Sequence, residues 1–127
     1  MSMRKEIENW WKQATKDLIA AKNSFNSGNY EWASFQANQV AEKALKALFL
    51  YKKKASVPTH NLLTLGKALN AKKIEDSLRE LNPDYTIARY PDAANAPPYE
   101  IYDKEKAKEK LKHAEKILEW TRKQLKL

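Results

Sequence analysis

The segment from residue 30 to residue 62 constrains the fold more than any other part of the 127-residue chain. Apolar residues recur in it at spacings of three and four, as on the buried face of an α-helix: Ala33, Ala37, Val40, Ala41, Ala44 and Leu48. A second apolar row covers much of the opposite side: Trp32, Phe35, Leu45, Phe49 and Leu50. Because a helix with two apolar faces must bury both, we expect it to be packed on more than one side.

The rest of the chain predicts further helices and no sheet, since no stretch alternates with period two between turns. A first helix is expected over residues 3–26 with Ser2 as its N-cap, and Gly28 suits the left-handed residue that ends it. The second helix is expected over residues 30–53. Further along, Thr59 is expected to cap a third helix.

A fourth helix is expected to begin near Lys72, and Asn82 is expected to cap a helical turn that Pro83 begins. A proline-containing loop follows from residue 91 to residue 102, and Asp103 is expected to cap the last helix. We therefore predict an all-α, up-and-down bundle of about five helices, formed by residues 1–127 as a single domain.

Composition narrows the class of protein. The chain has no cysteine, which excludes disulfides and thiolate metal sites. No apolar run approaches the roughly 20 residues needed to cross a bilayer, and the N-terminus lacks the apolar region of a signal peptide. We expect a cytoplasmic protein that does not contact membranes. The net charge of +8 is consistent either with an anionic partner such as RNA or with helix exteriors coated by Lys and Glu.

Several segments, taken in order, resemble the HEPN family (higher eukaryotes and prokaryotes nucleotide-binding). Each is weak alone, but their order and spacing together are specific, and they cover nearly the whole chain. The matching segments are Trp10-Trp11 with Ala14, Asp17, Leu18 and Ala21; Gly28-Asn29-Tyr30; Ala33 to Ala47; Pro58-Thr59-His60-Asn61-Leu62; and Ala88-Arg89-Tyr90-Pro91-Asp92.

The resemblance implies a small helical bundle that forms a homodimer and associates with a minimal nucleotidyltransferase, often as a toxin–antitoxin pair. Other members of the family are metal-independent ribonucleases, with an arginine, a polar residue, four to six further residues and then histidine. This chain departs from that pattern, because none of its four arginines has a histidine at that distance downstream. Ribonuclease activity is therefore placed in doubt, and the protein is more readily interpreted as a non-enzyme.

Arg89-Tyr90-Pro91-Asp92 is the segment singled out for function. Pro91 favours an extended Tyr90, so the chain is expected to turn there. Arg89 could hold a phosphate through two hydrogen bonds while Tyr90 stacks on a base. Alternatively, Arg89 could form an internal pair with Asp92 or Glu42 that fixes the loop.

Three other polar residues are candidates for the same site. Glu42 and Lys46 stand one helical turn apart and either pair on the surface or face a cleft. His60 either donates to a phosphate or braces the turn at Pro58. No metal or cofactor site is expected, because the two histidines lie far apart in sequence and no carboxylate cluster has ligand spacing.

The resulting hypothesis is a dimeric binding module for a nucleotidyltransferase, with a basic cleft for a nucleotide or RNA. Its ligand-binding candidates are Lys46, His60, Arg89 and Tyr90, with Glu42 and Asp92 as structural residues of the cleft. One alternative is a ribonuclease toxin that uses His60 in a different geometry. The other is a purely structural subunit that binds no ligand.

Overall fold

A computed structural model describes residues 3–127 of the chain, and this part contains α-helices and no strand. The all-α bundle predicted from the sequence is therefore confirmed. The predicted N-cap, Ser2, lies outside the described residues. The helices are α1 (Met3–Asn26), α2 (Tyr30–Lys53), α3 (Leu62–Ala68), α4 (Glu75–Leu81), α5 (Asp84–Ile87), α6 (Pro98–Ile101) and α7 (Lys104–Gln124), with a 3-10 turn at Lys72–Ile74 before α4.

Two of the predicted helix boundaries depend on single residues. Gly28 has φ of 80° in the turn between α1 and α2, a left-handed conformation that disfavours residues with a Cβ atom. Asp103 caps α7, where its Oδ1 accepts a hydrogen bond of 2.8 Å from the backbone N–H of Lys106. Both roles were predicted from the sequence, and both are confirmed.

Two predicted caps are wrong. Asn61, not Thr59, caps α3, because its side chain accepts hydrogen bonds from the backbone N–H groups of Leu63 and Thr64. Asn82 does not cap α5; its Oδ1 accepts from the backbone N–H of Leu62 at 2.8 Å instead. Each of these amides satisfies an N–H group in the first turn of α3, which would otherwise lack an intrahelical partner.

Helix α2 lies at the centre of the bundle. It packs against the long helices α1 and α7 and also contacts the short helices α3 to α6. The first apolar row is fully buried, as expected. In the second row Leu45 and Leu50 are also buried, and only Trp32 remains about half exposed at 49%. The chain therefore covers most of this second face itself, and the face does not require a second copy to bury it.

Between residues 3 and 127, no helix combines the length and the apolar character that spanning a bilayer requires. The charged face of α7 is solvated over most of its length, with Lys104, Lys108 and Lys112 exposed. Lys110 and His113 of the same helix instead contact α4. Lys110 is 7% exposed, and the half-buried His113 forms a 2.9 Å hydrogen bond with the buried Ser77 of α4.

Candidate functional site

Helix α2 places a buried carboxylate next to the beginning of α3. Glu42 is 3% exposed, and its Oε2 lies 2.9 Å from both Lys46 Nζ and His60 Nδ1. Gln39 donates to the other oxygen at 3.3 Å. Glu42 and Lys46 meet because residues four apart share a helix face. Since the Lys46 side chain is only 10% exposed, the pair is not a surface ion pair.

Glu42 also determines which nitrogen of His60 carries the proton. An ionised carboxylate can only accept hydrogen bonds, so the Nδ1 atom that faces it must be the donor. In a neutral imidazole this leaves Nε2 as the basic nitrogen. The His60 side chain is 52% exposed, so a solvent-accessible ring is oriented by a buried carboxylate.

The other face of the site is formed by α5 and the residues that follow it. The His60 ring stacks on the ring of Tyr85, with centroids 4.5 Å apart and planes 15° from parallel. The guanidinium carbon of Arg89 lies 4.6 Å from the centroid of the same Tyr85 ring. Tyr85 therefore brings together His60 and Arg89, which are 29 residues apart in sequence.

Arg89 is held by aromatic rings and by the backbone. Its guanidinium carbon also lies 4.3 Å from the Phe35 ring centroid and 4.9 Å from that of Tyr90. Its Nε donates to the Tyr85 carbonyl at 2.8 Å. We call His60, Tyr85, Arg89, Tyr90 and Phe35 the aromatic–basic cluster.

The predicted pairs of Arg89 with Asp92 and Glu42 do not form in the part of the chain that the structure describes. Asp92 is exposed, and its assignment to the cleft stays a prediction. Glu42 instead pairs with Lys46 and His60. The loop is held to Arg89 by the Tyr90 ring, which is 48% exposed.

Sequence reasoning missed two members of the cluster. Phe35 was assigned to the second apolar row of α2 and Tyr85 was not singled out, but their rings hold Arg89 and contact each other, with centroids 6.3 Å apart. Their positions were available as a weak signal, since Tyr85 lies four residues before Arg89. The stacking itself depends on the tertiary approach of α2 to α5, which no local pattern encodes.

The cluster presents donors and exposed rings on one side of the bundle. The two terminal nitrogens of Arg89 have no hydrogen-bond acceptor among residues 3–127. The unpaired edge of the guanidinium can donate hydrogen bonds to the oxygens of a phosphate, and the half-exposed Tyr90 ring can stack on an aromatic ring such as a base. No group of three or more His, Asp and Glu side chains within residues 3–127 could hold a metal ion.

The chain is similar to three solved structures. TT1696 from Thermus thermophilus is 33% identical, with a TM-score of 0.87 over 93% of this chain and 97% of that chain. ST0689, an archaeal HEPN homologue, is 35% identical, with a TM-score of 0.80 over 93% and 96%. A HEPN domain protein from Thermotoga maritima is 25% identical, with a TM-score of 0.73 over 93% and 98%.

Comparison with curated proteins gives no match. The family model of the HEPN domain, however, matches residues 7–124, nearly the whole chain. That range includes helices α2 to α7 and the whole aromatic–basic cluster. The chain therefore belongs to the HEPN domain family.

Proposed function

We propose that this HEPN protein is a dimeric binding module whose aromatic–basic cluster binds the phosphate of a nucleotide or RNA. The observation that carries the proposal is the state of Arg89. Its Nε is tied to a backbone carbonyl and its guanidinium rests against three rings, while both terminal nitrogens have no acceptor among the described residues. A guanidinium oriented in advance loses less conformational freedom when it binds an anion.

His60 and Tyr90 extend the same surface. When protonated, His60 adds a second cation next to Arg89, and its ring is already oriented by Glu42. The half-exposed Tyr90 ring offers a stacking partner, worth about 1–3 kcal/mol per base in single-stranded nucleic acid complexes. Lys46 contributes indirectly, since its ammonium pairs with Glu42 and lies 5.3 Å from the Trp10 ring centroid.

A titration with ATP and a short single-stranded RNA tests this proposal. Arg89→Ala should abolish binding that the wild type shows, because it removes the oriented guanidinium. Arg79→Ala is the matched control, since Arg79 is an exposed arginine that pairs with Glu75 on α4. The proposal is wrong if the wild type binds neither ligand, or if the two variants lose affinity equally.

The dimer part of the proposal rests on exposed apolar side chains of α1 and α2. Trp32 is 49% exposed and packs edge-to-face on Phe35, with ring centroids 6.2 Å apart, and Ile19 on α1 is 52% exposed. Burial of such side chains against a second copy is favourable. Light scattering should therefore give twice the monomer mass at micromolar concentration, and Trp32→Glu should reduce it. A monomer mass measured at micromolar concentration would contradict this part of the proposal.

A nucleotidyltransferase is proposed as the protein partner because the chain is a HEPN protein with a basic net charge. Co-expression with a minimal nucleotidyltransferase from the same organism should give a complex that survives gel filtration. Two proteins that elute separately at micromolar concentration would contradict this assignment.

A metal-independent ribonuclease is the second candidate, and one observation favours it. His60 is held by a buried carboxylate, as a general base requires, and a cation lies next to the same tyrosine ring. This candidate predicts RNA cleavage in EDTA that His60→Ala and Glu42→Gln both reduce. Cleavage unaffected by His60→Ala, or no cleavage at all, would exclude it.

A further inference from the structure

A second cluster of titratable residues lies outside the aromatic–basic cluster. Asp84, Tyr102 and Lys110 are 2%, 4% and 7% exposed, and we call them the buried triad. The Tyr102 hydroxyl donates to Asp84 Oδ1 at 2.5 Å. Lys110 Nζ lies 2.9 Å from Asp84 Oδ2 and donates to the Glu80 carbonyl at 2.7 Å.

Such a cluster is costly to bury. Burial raises the pKa of Asp84 despite the nearby Lys110 ammonium, and burial likewise raises the pKa of Tyr102. The Lys110 ammonium lies 2.9 Å from Asp84 Oδ2, so the two residues form a buried ion pair. Replacing buried ion pairs with apolar residues is often neutral or stabilising, so stability alone is a weak explanation for this triad.

The position of Asp84 in the chain suggests another role. Asp84 is the first residue of α5, which has four residues, and Tyr85 and Arg89 lie one and five positions after it. A helix this short is not stable by itself, because forming the first helical turn costs more free energy than the hydrogen bonds of one turn return. Its position must therefore be set by contacts such as those of Asp84 with α7 and with Tyr102.

The segment from Tyr90 to Tyr102 connects the two clusters. At one end the Tyr90 ring lies against the Arg89 guanidinium, and at the other the Tyr102 hydroxyl bonds to Asp84. Both ends are thus attached to residues of α5 or the residue just after its C-terminal cap. A displacement of Asp84 would therefore move both α5, whose Tyr85 contacts Arg89, and the Tyr102 end of this segment.

We propose that Asp84, held by Tyr102 and Lys110, is a positioning residue that fixes α5 so that the Arg89 guanidinium points its free edge outward for an anion. The effect on ligand affinity rests on the proposed function. The positioning itself does not, and it can be measured without any ligand.

The ligand-free measurement is the Arg89 Nε–H signal in a ¹H–¹⁵N spectrum, assigned by its loss in Arg89→Ala. In the wild type this N–H group donates a hydrogen bond to the Tyr85 carbonyl and lies among aromatic rings. Asp84→Ala and the milder Tyr102→Phe should shift the signal and speed its exchange with water by about tenfold, the effect of losing one charge-assisted hydrogen bond. The second variant keeps the test valid if the first does not fold.

Ser77→Ala is the matched control for a loss of stability. It removes a partly buried side-chain hydrogen bond to α7, the one to His113, but it does not involve α5. The Arg89 signal should stay at its wild-type position in this variant. The proposal is overturned if the signal is unchanged in both triad variants, or if Ser77→Ala moves it as far.

The ligand measurement separates this inference from the proposed function. If the wild type binds ATP, Tyr102→Phe should weaken binding by about tenfold and Ser77→Ala should not. An ATP affinity that Tyr102→Phe leaves unchanged would overturn the link to ligand binding. If the wild type binds neither ATP nor the short RNA, the proposed function fails, while the Arg89 signal still decides whether Asp84 positions α5.

Discussion

Glu42→Gln should destabilise the protein strongly, because it removes one charge from a buried pair and keeps the shape of the side chain. Lys46 would then hold an ammonium whose side chain is 10% exposed, without its carboxylate. Breaking a fully buried pair costs about 3–5 kcal/mol. Since Lys46 retains some solvent contact and the ring of Trp10, we expect a loss of about 3 kcal/mol in the free energy of unfolding.

A loss of this size is measurable by urea unfolding followed by circular dichroism. For a chain of this length 1 kcal/mol corresponds to about 4 °C, so the midpoint of thermal unfolding should fall by about 12 °C. Glu75→Gln is the control, because that carboxylate pairs with Arg79 on the surface, and it should change stability by less than about 0.5 kcal/mol.

The double variant Glu42→Gln, Lys46→Met tests the cause. It removes the unpaired ammonium, so it should recover about 2 kcal/mol of the loss. The reasoning is refuted if Glu42→Gln costs less than about 1 kcal/mol. It is also refuted if the double variant is as unstable as the sum of the two single changes.

Three further predictions concern stability. Gly28→Ala should cost about 1 kcal/mol because φ is 80° there, and Gly28→Asn should cost clearly less; equal losses measured by urea unfolding would contradict a backbone cause. Gly66→Ala should also lose about 1 kcal/mol despite the better helix propensity of Ala, because the new Cβ would overlap Leu78 Cδ1; a stabilised variant would contradict this. Burial raises the pKa of Tyr102. The protonated hydroxyl therefore makes its full contribution to the free energy of unfolding below about pH 10, and above that pH the free energy of unfolding should fall by about 1.4 kcal/mol per pH unit. Unfolding measured at alkaline pH should show this slope, and Tyr102→Phe should reduce it.

The long helices could be predicted from the sequence because their signals are local. Apolar spacing located α1 and α2, and single residues such as Gly28 and Asp103 located boundaries. The cap of α3 was misplaced by two residues, since Thr59 and Asn61 are both competent caps. Only the folded backbone determines which of them meets the free N–H groups.

The site was predictable in part. Glu42 and Lys46 pair because they share a helix face, which the sequence shows. His60 and Arg89 were named as candidates, but their common contact with Tyr85 depends on how α3 and α5 pack around α2. The buried Lys110 could not be recognised, because it stands among exposed lysines and its partners lie on other helices.

The most direct test of the account is a map of where ATP contacts the protein, from ¹H–¹⁵N and aromatic ¹H–¹³C spectra recorded during a titration. The largest shifts should occur at His60, Tyr85, Arg89 and Tyr90, and they should disappear in Arg89→Ala. Saturable shifts centred elsewhere on the bundle, or no shifts with either millimolar ATP or the short RNA, would contradict the claim that the aromatic–basic cluster is the ligand site.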